Sequence, residues 1–419
     1  MQLQIEYLSK IFRKYFATFV FLLLGSVFVV RVIQINQPNR YLFDEDFFAY
    51  TAQLMMQNDG RIFEWWHGPL EKELNQFTYR PPAIEWLHPP LSKSIQAASI
   101  ALFGNSPFGW RLPSVLAGIG LIWLSIELTQ VLFGKHYLSI LVGLLVSMEQ
   151  LVTTQSILAS PDIFLAFFVL LAVWRFWHYH QKRTIFRLID VGIAIGLAIS
   201  CKWSGIFILP ALLIFEYVFL NQGSSLKNII RPVLLVLQTT ICLVLVAGSL
   251  YLLSYWQLFY QGHSIQYFLD LHKQIVTYQT TASFDRPYAS KPWEWLLGEK
   301  PIWYHFDQSE TGEISEIIAK PTLWLLFASE LAFLISVGIL VNQRYHKKMT
   351  KEWWPKLLLL LSITSLFIPW LFISRPVFIY HFTPIIPLAI ILSISTFLNH
   401  LPKLSTNNSK RSFTPLPFF

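Results

Sequence analysis

Apolar positions in this chain gather into long runs separated by short polar breaks, too many and too long for a soluble core to bury. They lie near Phe16 to Ile33, Leu112 to Phe133, Leu138 to Met148, Ile163 to Trp177, Leu188 to Ser200 and Ile206 to Leu220. Further runs are Val233 to Trp256, Thr322 to Val341, Leu357 to Ile373 and Tyr380 to Leu398, about ten in all, two of them short. In lipid a helix satisfies its own backbone groups, so the pattern predicts an all-α polytopic membrane protein of about ten or eleven transmembrane helices. The first run has no small-residue cleavage site and is followed by many others, and reads as a retained helix.

Basic residues orient the runs. With Lys10, Arg13 and Lys14 placed in the cytoplasm, alternate connections carry Lys135, then Arg175, Lys182, Arg183 and Arg187, then Lys227 and Arg231. Arg344, Lys347, Lys348, Lys351 and Lys356 follow, and Lys403, Lys410 and Arg411 end the series. The net charge of +8 is therefore the positive-inside signature and implies no nucleic-acid partner. This threading predicts a cytoplasmic (inner) membrane protein, one domain over residues 1–419, with segments 34–111 and 257–321 on the outer or periplasmic side. Both segments are rich in Trp, Tyr and Pro and are expected to pack together as a cap.

Within the first segment, Phe47, Tyr50, Thr51, Leu54 and Met55 share helical spacing, which predicts an amphipathic helix lying on the membrane. Pro89 to Phe103 is too short to span comfortably and holds Lys93, so it reads as a second interfacial helix. Cys201 and Cys242 sit in apolar stretches, with no spacing for a disulfide framework or a metal knuckle. The sequon Asn407-Asn408-Ser409 falls in a tail assigned to the cytoplasm and is discounted.

Only 13% of residues are charged against 54% hydrophobic, so Asp44-Glu45-Asp46 just beyond the first run needs a reason. Acids stabilise a helix start by about 0.5–2 kcal/mol, but three in a row exceed what a cap requires. Around them, short motifs fall in one order along the chain. They are Phe43-Asp44-Glu45, His88-Pro89-Pro90-Leu91-Ser92-Lys93, Gly109-Trp110-Arg111-Leu112-Pro113-Ser114, Ser160-Pro161-Asp162 and Lys202-Trp203-Ser204-Gly205. Lys291-Pro292-Trp293-Glu294-Trp295, Pro301-Ile302-Trp303-Tyr304 and Tyr380-His381-Phe382-Thr383-Pro384 follow. This series resembles the protein O-mannosyltransferase family, within the GT-C membrane glycosyltransferases that use polyprenyl-phosphate sugars and include the lipid A aminoarabinose transferases. The second long segment is too short for the folded domain of eukaryotic members, so the resemblance is to a compact, bacterial-type form. Ser92 stands where the family has glycine, and Pro161 replaces a leucine before Asp162.

The resemblance implies an inverting enzyme that moves a sugar, mannose by analogy, from a polyprenyl phosphate to a protein Ser or Thr hydroxyl. A glycolipid or cell-envelope glycan is the alternative acceptor. Such a transfer needs a carboxylate near the acceptor hydroxyl and a cation near the departing phosphate. Asp44 is the candidate base with Glu45 beside it, and Arg111 and Lys93 are the candidate phosphate ligands. His88, Asp162, Lys202 and His381 are further candidates for donor or acceptor contacts. Each has a plain structural alternative: an anchoring arginine, a salt bridge between Asp162 and Lys202 or Arg111, or packed histidines. Asp44 and Glu45 would also suit a divalent cation, Mg²⁺ or Mn²⁺, whereas no His or Cys spacing signals zinc. A transporter or flippase would instead show mid-span charges, broken helices and related halves, and the sequence has neither halves nor a mid-span charge chain. The oligomeric state is not encoded in any visible interface.

Overall fold

The computed structural model describes residues 10–78, 80–222, 230–282, 287–308, 312 and 314–398. The sequon at Asn407 and the basic residues Lys227, Lys403, Lys410 and Arg411 lie outside them. Every apolar run is helical. In chain order the helices begin with α1 (Phe16–Gln34), α2 (Glu45–Met56), α3 (Leu91–Phe103), α4 (Pro107–Phe133), α5 (His136–Met148) and α6 (Gln150–Gln155). Next come α7 (Asp162–Gln181), α8 (Ile185–Cys201), α9 (Ile208–Leu220), α10 (Ile230–Ser254), α11 (Trp256–Tyr260), α12 (Ile265–Thr281) and α13 (Pro292–Leu296). The described residues end on α14 (Leu323–Tyr345), α15 (Trp353–Phe367) and α16 (Ile386–Leu398). By length and composition, seven helical segments among the described residues are able to cross a membrane, and α5 and α16 are shorter apolar helices.

Helices α4 and α7 form the middle of the bundle, with α7 packed on α8 and α8 on α10. Peripheral α10 turns Leu234, Leu237, Ile241, Val244 and Leu245 outward, an apolar face that suits lipid. Since α7 rises about 1.5 Å per residue, Asp162 at its start and the basic Lys182–Arg187 turn at its end lie about 30 Å apart. The two long segments gather at the Asp162 end.

Two local expectations are corrected. An antiparallel hairpin, β1 (Ile302–Gln308) and β2 (Ile314–Ala319), interrupts the otherwise helical fold, with Ile302 opposite Ala319 and Asp307 opposite Ser315. Its β-branched and aromatic residues favour strands, a preference that a span-by-span reading of hydropathy passes over. Helix α2 does not simply lie on a membrane surface. Glu45, Asp46, Phe48, Ala49 and Ala52 are buried along with Tyr50, Thr51, Leu54 and Met55, because α3 packs against it and the 255–275 region covers it.

That covering is specific. Gln257 Nε2 donates to the Met55 carbonyl at 2.9 Å, Gln261 Nε2 to the Asp59 carbonyl at 2.9 Å and Tyr267 Oη to the Phe63 carbonyl at 3.1 Å. Tyr255, Leu258, Leu271 and Ile275 share one apolar cluster with Tyr41, Tyr50 and Trp110. Helix α12 is tied to the bundle by Tyr251, whose hydroxyl meets His272 Nε2 at 2.7 Å and accepts from Trp203 Nε1 at 2.8 Å.

Candidate active site

Asp44 is presented by a turn that the sequence builds at some cost. Phe43 has φ 49°, the left-handed region, which costs a non-glycine residue about 1–2 kcal/mol. Its neighbours hold it there. Glu45 Oε2 accepts from the Leu42 amide at 2.9 Å, Arg80 Nη2 donates to the Phe43 carbonyl at 2.7 Å, and Arg80 Nε meets Asp46 at 2.6 Å. The Phe43 ring packs edge-on against Tyr304, with centroids 5.0 Å apart. Asp44 precedes α2 but makes no side-chain capping bond to it; its side chain lines a pocket instead.

Glu45 and Arg111 face each other. Gly104 turns the chain with φ 85°, Ser106 caps α4, and Gly109 lies so close that a Cβ there would sit 2.0 Å from the Gly104 carbonyl oxygen. Arg111 follows on the first turns of α4, buried. Its Nε and Nη2 meet Glu45 at 2.9 and 2.7 Å, Nη1 donates to the carbonyls of Ile35 and Pro38, and Nη2 also to that of Arg40. All five guanidinium hydrogens are thus engaged within the protein. Glu45 is equally occupied, accepting additionally from the amides of Leu42 and Ala159.

A second buried ion cluster lies under the pocket. Lys93 on α3 donates to the Glu85 carbonyl at 2.6 Å, the His88 carbonyl at 2.9 Å and the Glu85 carboxylate, which uses its three hydrogens. Glu85 Oε1 also meets His88 Nδ1 at 2.7 Å. Burial works against a charged Glu85, but Lys93 and His88 overcome it and hold the carboxyl down at about 2. Burial pushes the His88 imidazole below its ordinary value, with Glu85 opposing.

The remaining wall comes from short connections at the same end of the bundle. Lys202, just after α8, pairs with Asp162 at 2.8 Å, and its ammonium stands 5.0 Å from the Tyr380 ring centroid. Tyr304 on β1 accepts from Gln155 Nε2 at 2.9 Å. Arg375 and His381 complete the lining. His381 Nδ1 is bonded to the backbone of Phe378, and its ring stacks on Trp295. Arg375 donates to the Pro376 carbonyl at 3.1 Å and forms no ion pair among the described residues.

The pocket holds about 500 Å³ counted to its open mouth. Of the residues expected from sequence, Asp44, Glu45, His88, Asp162, Lys202 and His381 line it together. Arg111 and Lys93 do not, and neither has a hydrogen left for a phosphate. The cations that face Asp44 across the space are Lys202 and Arg375. Arg375 and Tyr304 were not singled out from sequence as site residues. The available signal for Arg375 was its place as the one basic residue in the short connection between the last two apolar runs, on the side where the charge pattern puts few. No three His, Cys, Asp or Glu side chains converge as metal ligands among the described residues.

Comparison with known proteins agrees with this architecture. Residues 264–416 match the profile of the C-terminal four-transmembrane region of protein O-mannosyltransferase. The polyprenol-phosphate-mannose–protein mannosyltransferase of Corynebacterium glutamicum is 22% identical over 372 residues, 73% of this chain and 69% of that protein. In structure, the chain is similar to the S. cerevisiae protein O-mannosyltransferase Pmt1-Pmt2 complex bound to the sugar donor, with TM-score 0.70 and 12% identity over 91% of this chain and 84% of that one. It is also similar to ArnT from Cupriavidus metallidurans bound to undecaprenyl phosphate, with TM-score 0.57 and 15% identity over 90% of this chain and 59% of that one. Those likenesses establish a shared GT-C fold. Residues 18–261, more than half the chain, match the profile of the dolichyl-phosphate-mannose-protein mannosyltransferases, and the chain belongs to that family of membrane glycosyltransferases.

Proposed function

We propose that the protein transfers mannose from a polyprenyl phosphate to a Ser or Thr hydroxyl of a protein, with inversion, on the membrane face opposite its basic loops. The observation that carries this is the pocket itself, where Asp44 faces Lys202 and Arg375 at the bundle end that gathers both long connecting segments. In a direct displacement Asp44 takes the acceptor proton while the oxygen attacks the anomeric carbon, and the phosphate leaves with its lipid. Charge growing on that phosphate needs fixed cations in a site of low dielectric. Among the described residues Arg375 keeps guanidinium hydrogens unspent, and Lys202 adds a second charge.

An apolar cleft adjoins the pocket. His381 lines the polar side and its neighbour Phe382 lines the cleft, which runs between α14, α15 and α16 and holds about 1180 Å³ counted the same way. An isoprenoid tail fits that chemistry. The family and the name of the C. glutamicum relative support a protein acceptor; a glycolipid acceptor is the second outcome of the test.

The test is turnover by purified protein given polyprenyl-phosphate mannose with acceptor peptides and glycolipids, the product being identified by mass spectrometry. A mannosylated Ser or Thr is expected; mannose found solely on lipid would change the acceptor, and no transfer to either would reject the activity. Arg375→Ala is expected to lower kcat/KM for the donor about 10²-fold, the scale for loss of one preorganised donor, with Arg375→Lys recovering part. Donor kinetics unchanged in the alanine variant would remove Arg375 from the phosphate. Charge neutralisation by these two cations also predicts turnover undiminished in EDTA; a loss restored by Mg²⁺ or Mn²⁺ would return a metal to Asp44.

A further inference from the structure

Glu85 belongs to none of the motifs singled out from sequence, and the displacement outlined above leaves it without a part. It is nonetheless held from several directions. Its amide donates to Thr51 Oγ1 at 2.8 Å, its carbonyl and carboxylate take Lys93, and its Oε1 accepts from both the backbone amide of His88 at 3.1 Å and the ring Nδ1 at 2.7 Å. An ionised carboxylate only accepts, so Nδ1 carries the hydrogen, which in the neutral ring leaves Nε2 bare. Among the described residues Nε2 has no hydrogen-bond partner, and His88 lines the pocket.

We propose that Glu85 is a positioning residue that holds His88 as the Nδ1–H tautomer, so that Nε2 accepts a hydrogen bond from a substrate hydroxyl in the pocket. The proposal rests on the transferase activity proposed above. The hydroxyl belongs either to the donor sugar or to the acceptor. A neutral imidazole accepts at Nε2 and an imidazolium donates, so activity rises with pH through the His88 titration.

The charges around the ring fix the sign of its response. Behind it stand Glu85 and Lys93. Across the pocket are Asp44 and the Glu45–Arg111 brace, the Asp162–Lys202 pair, Arg375, His381 and the phenols of Tyr304 and Tyr380. Glu45 is paired with Arg111 and Asp162 with Lys202, and among the charged groups of the described residues Glu85 is the one hydrogen-bonded to the ring. Removing the Glu85 charge takes away what favours the imidazolium, so the acid limb of the rate moves to lower pH.

Two measurements test this. In protein labelled with ¹⁵N-histidine, the His88 signal, assigned by its disappearance in His88→Gln, is expected to report a protonated Nδ1 and a bare Nε2, and to change in Glu85→Gln. An Nε2-protonated tautomer, or no change on substitution, would overturn the dyad whether or not the protein turns over mannose. In active enzyme, Glu85→Gln is expected to shift the acid limb of kcat/KM down by about one pH unit, and His88→Gln to abolish that limb with a loss of about 10²-fold. If Glu85→Gln alone fails to fold, Glu85→Gln with Lys93→Met removes both charges and serves in its place. A KM increase confined to donor or to acceptor in His88→Gln assigns the hydroxyl. A pH profile identical to wild type in both substitutions would make His88 a packing residue. Failure of wild-type turnover with an intact dyad signal would reject the activity, and with it the use of Nε2 by its hydroxyl.

Discussion

Replacing Asp44 by Asn should reduce transfer by about 10² to 10⁴, the range contributed by a positioned general base, while leaving the protein folded. The amide has the same size and shape but does not take the acceptor proton at neutral pH. Stability should change little because the turn that presents Asp44 is held through Leu42, Phe43, Glu45, Asp46 and Arg80. The pair of measurements is turnover with polyprenyl-phosphate mannose and the thermal midpoint in detergent. A variant with near-normal turnover would remove Asp44 as the base. One that unfolds early would show that the carboxylate serves the turn. Glu45→Gln should behave in the opposite way, since its oxygens already accept from Arg111, Leu42 and Ala159: stability falls first, and activity follows it.

Much of this was legible in the sequence, for identifiable reasons. Spans such as α1, α4 and α7 were visible because lipid demands long uninterrupted apolarity, and α3 was visible as a separate helix because Pro89 to Phe103 is too short to cross. The β1–β2 hairpin was missed because strand preference is local and weak beside a hydropathy signal. At the site, the identity of the carboxylates was readable but their division of labour was not. Asp44 and Glu45 are adjacent and both line the pocket, yet Glu45 commits its oxygens to Arg111 and two backbone amides.

The cations show the same limit. Arg111 and Lys93 lie in motifs near the acids, but motif proximity does not count hydrogens, and both arrive with every hydrogen committed. Arg375 comes from a connection more than three hundred residues from Asp44 in sequence, and only the folded bundle brings them to one cavity. The charge pattern held a weaker clue. The short connections it placed beside the two long segments contain Asp162, Lys202 and Arg375, all of them in the wall.

Arg111→Ala is expected to cost about 3–5 kcal/mol of stability, because it removes one partner of a buried ion pair and leaves the other uncompensated. Glu45 is 2% exposed and would keep only two amide donors, while the carbonyls of Ile35, Pro38 and Arg40 would lose theirs. Arg111→Lys should recover little, since one ammonium has three hydrogens where five are used, and cannot match the paired geometry at the carboxylate. Loss of activity in these variants should therefore track loss of folded protein, seen as a lower thermal midpoint and less monodisperse material. The surviving folded fraction should retain its donor KM, in contrast to Arg375→Ala. A well-folded Arg111→Ala protein whose donor KM alone rises would restore Arg111 to the phosphate. It would also mean that the Glu45–Arg111 brace opens when donor binds, since in the closed arrangement no guanidinium hydrogen remains to give.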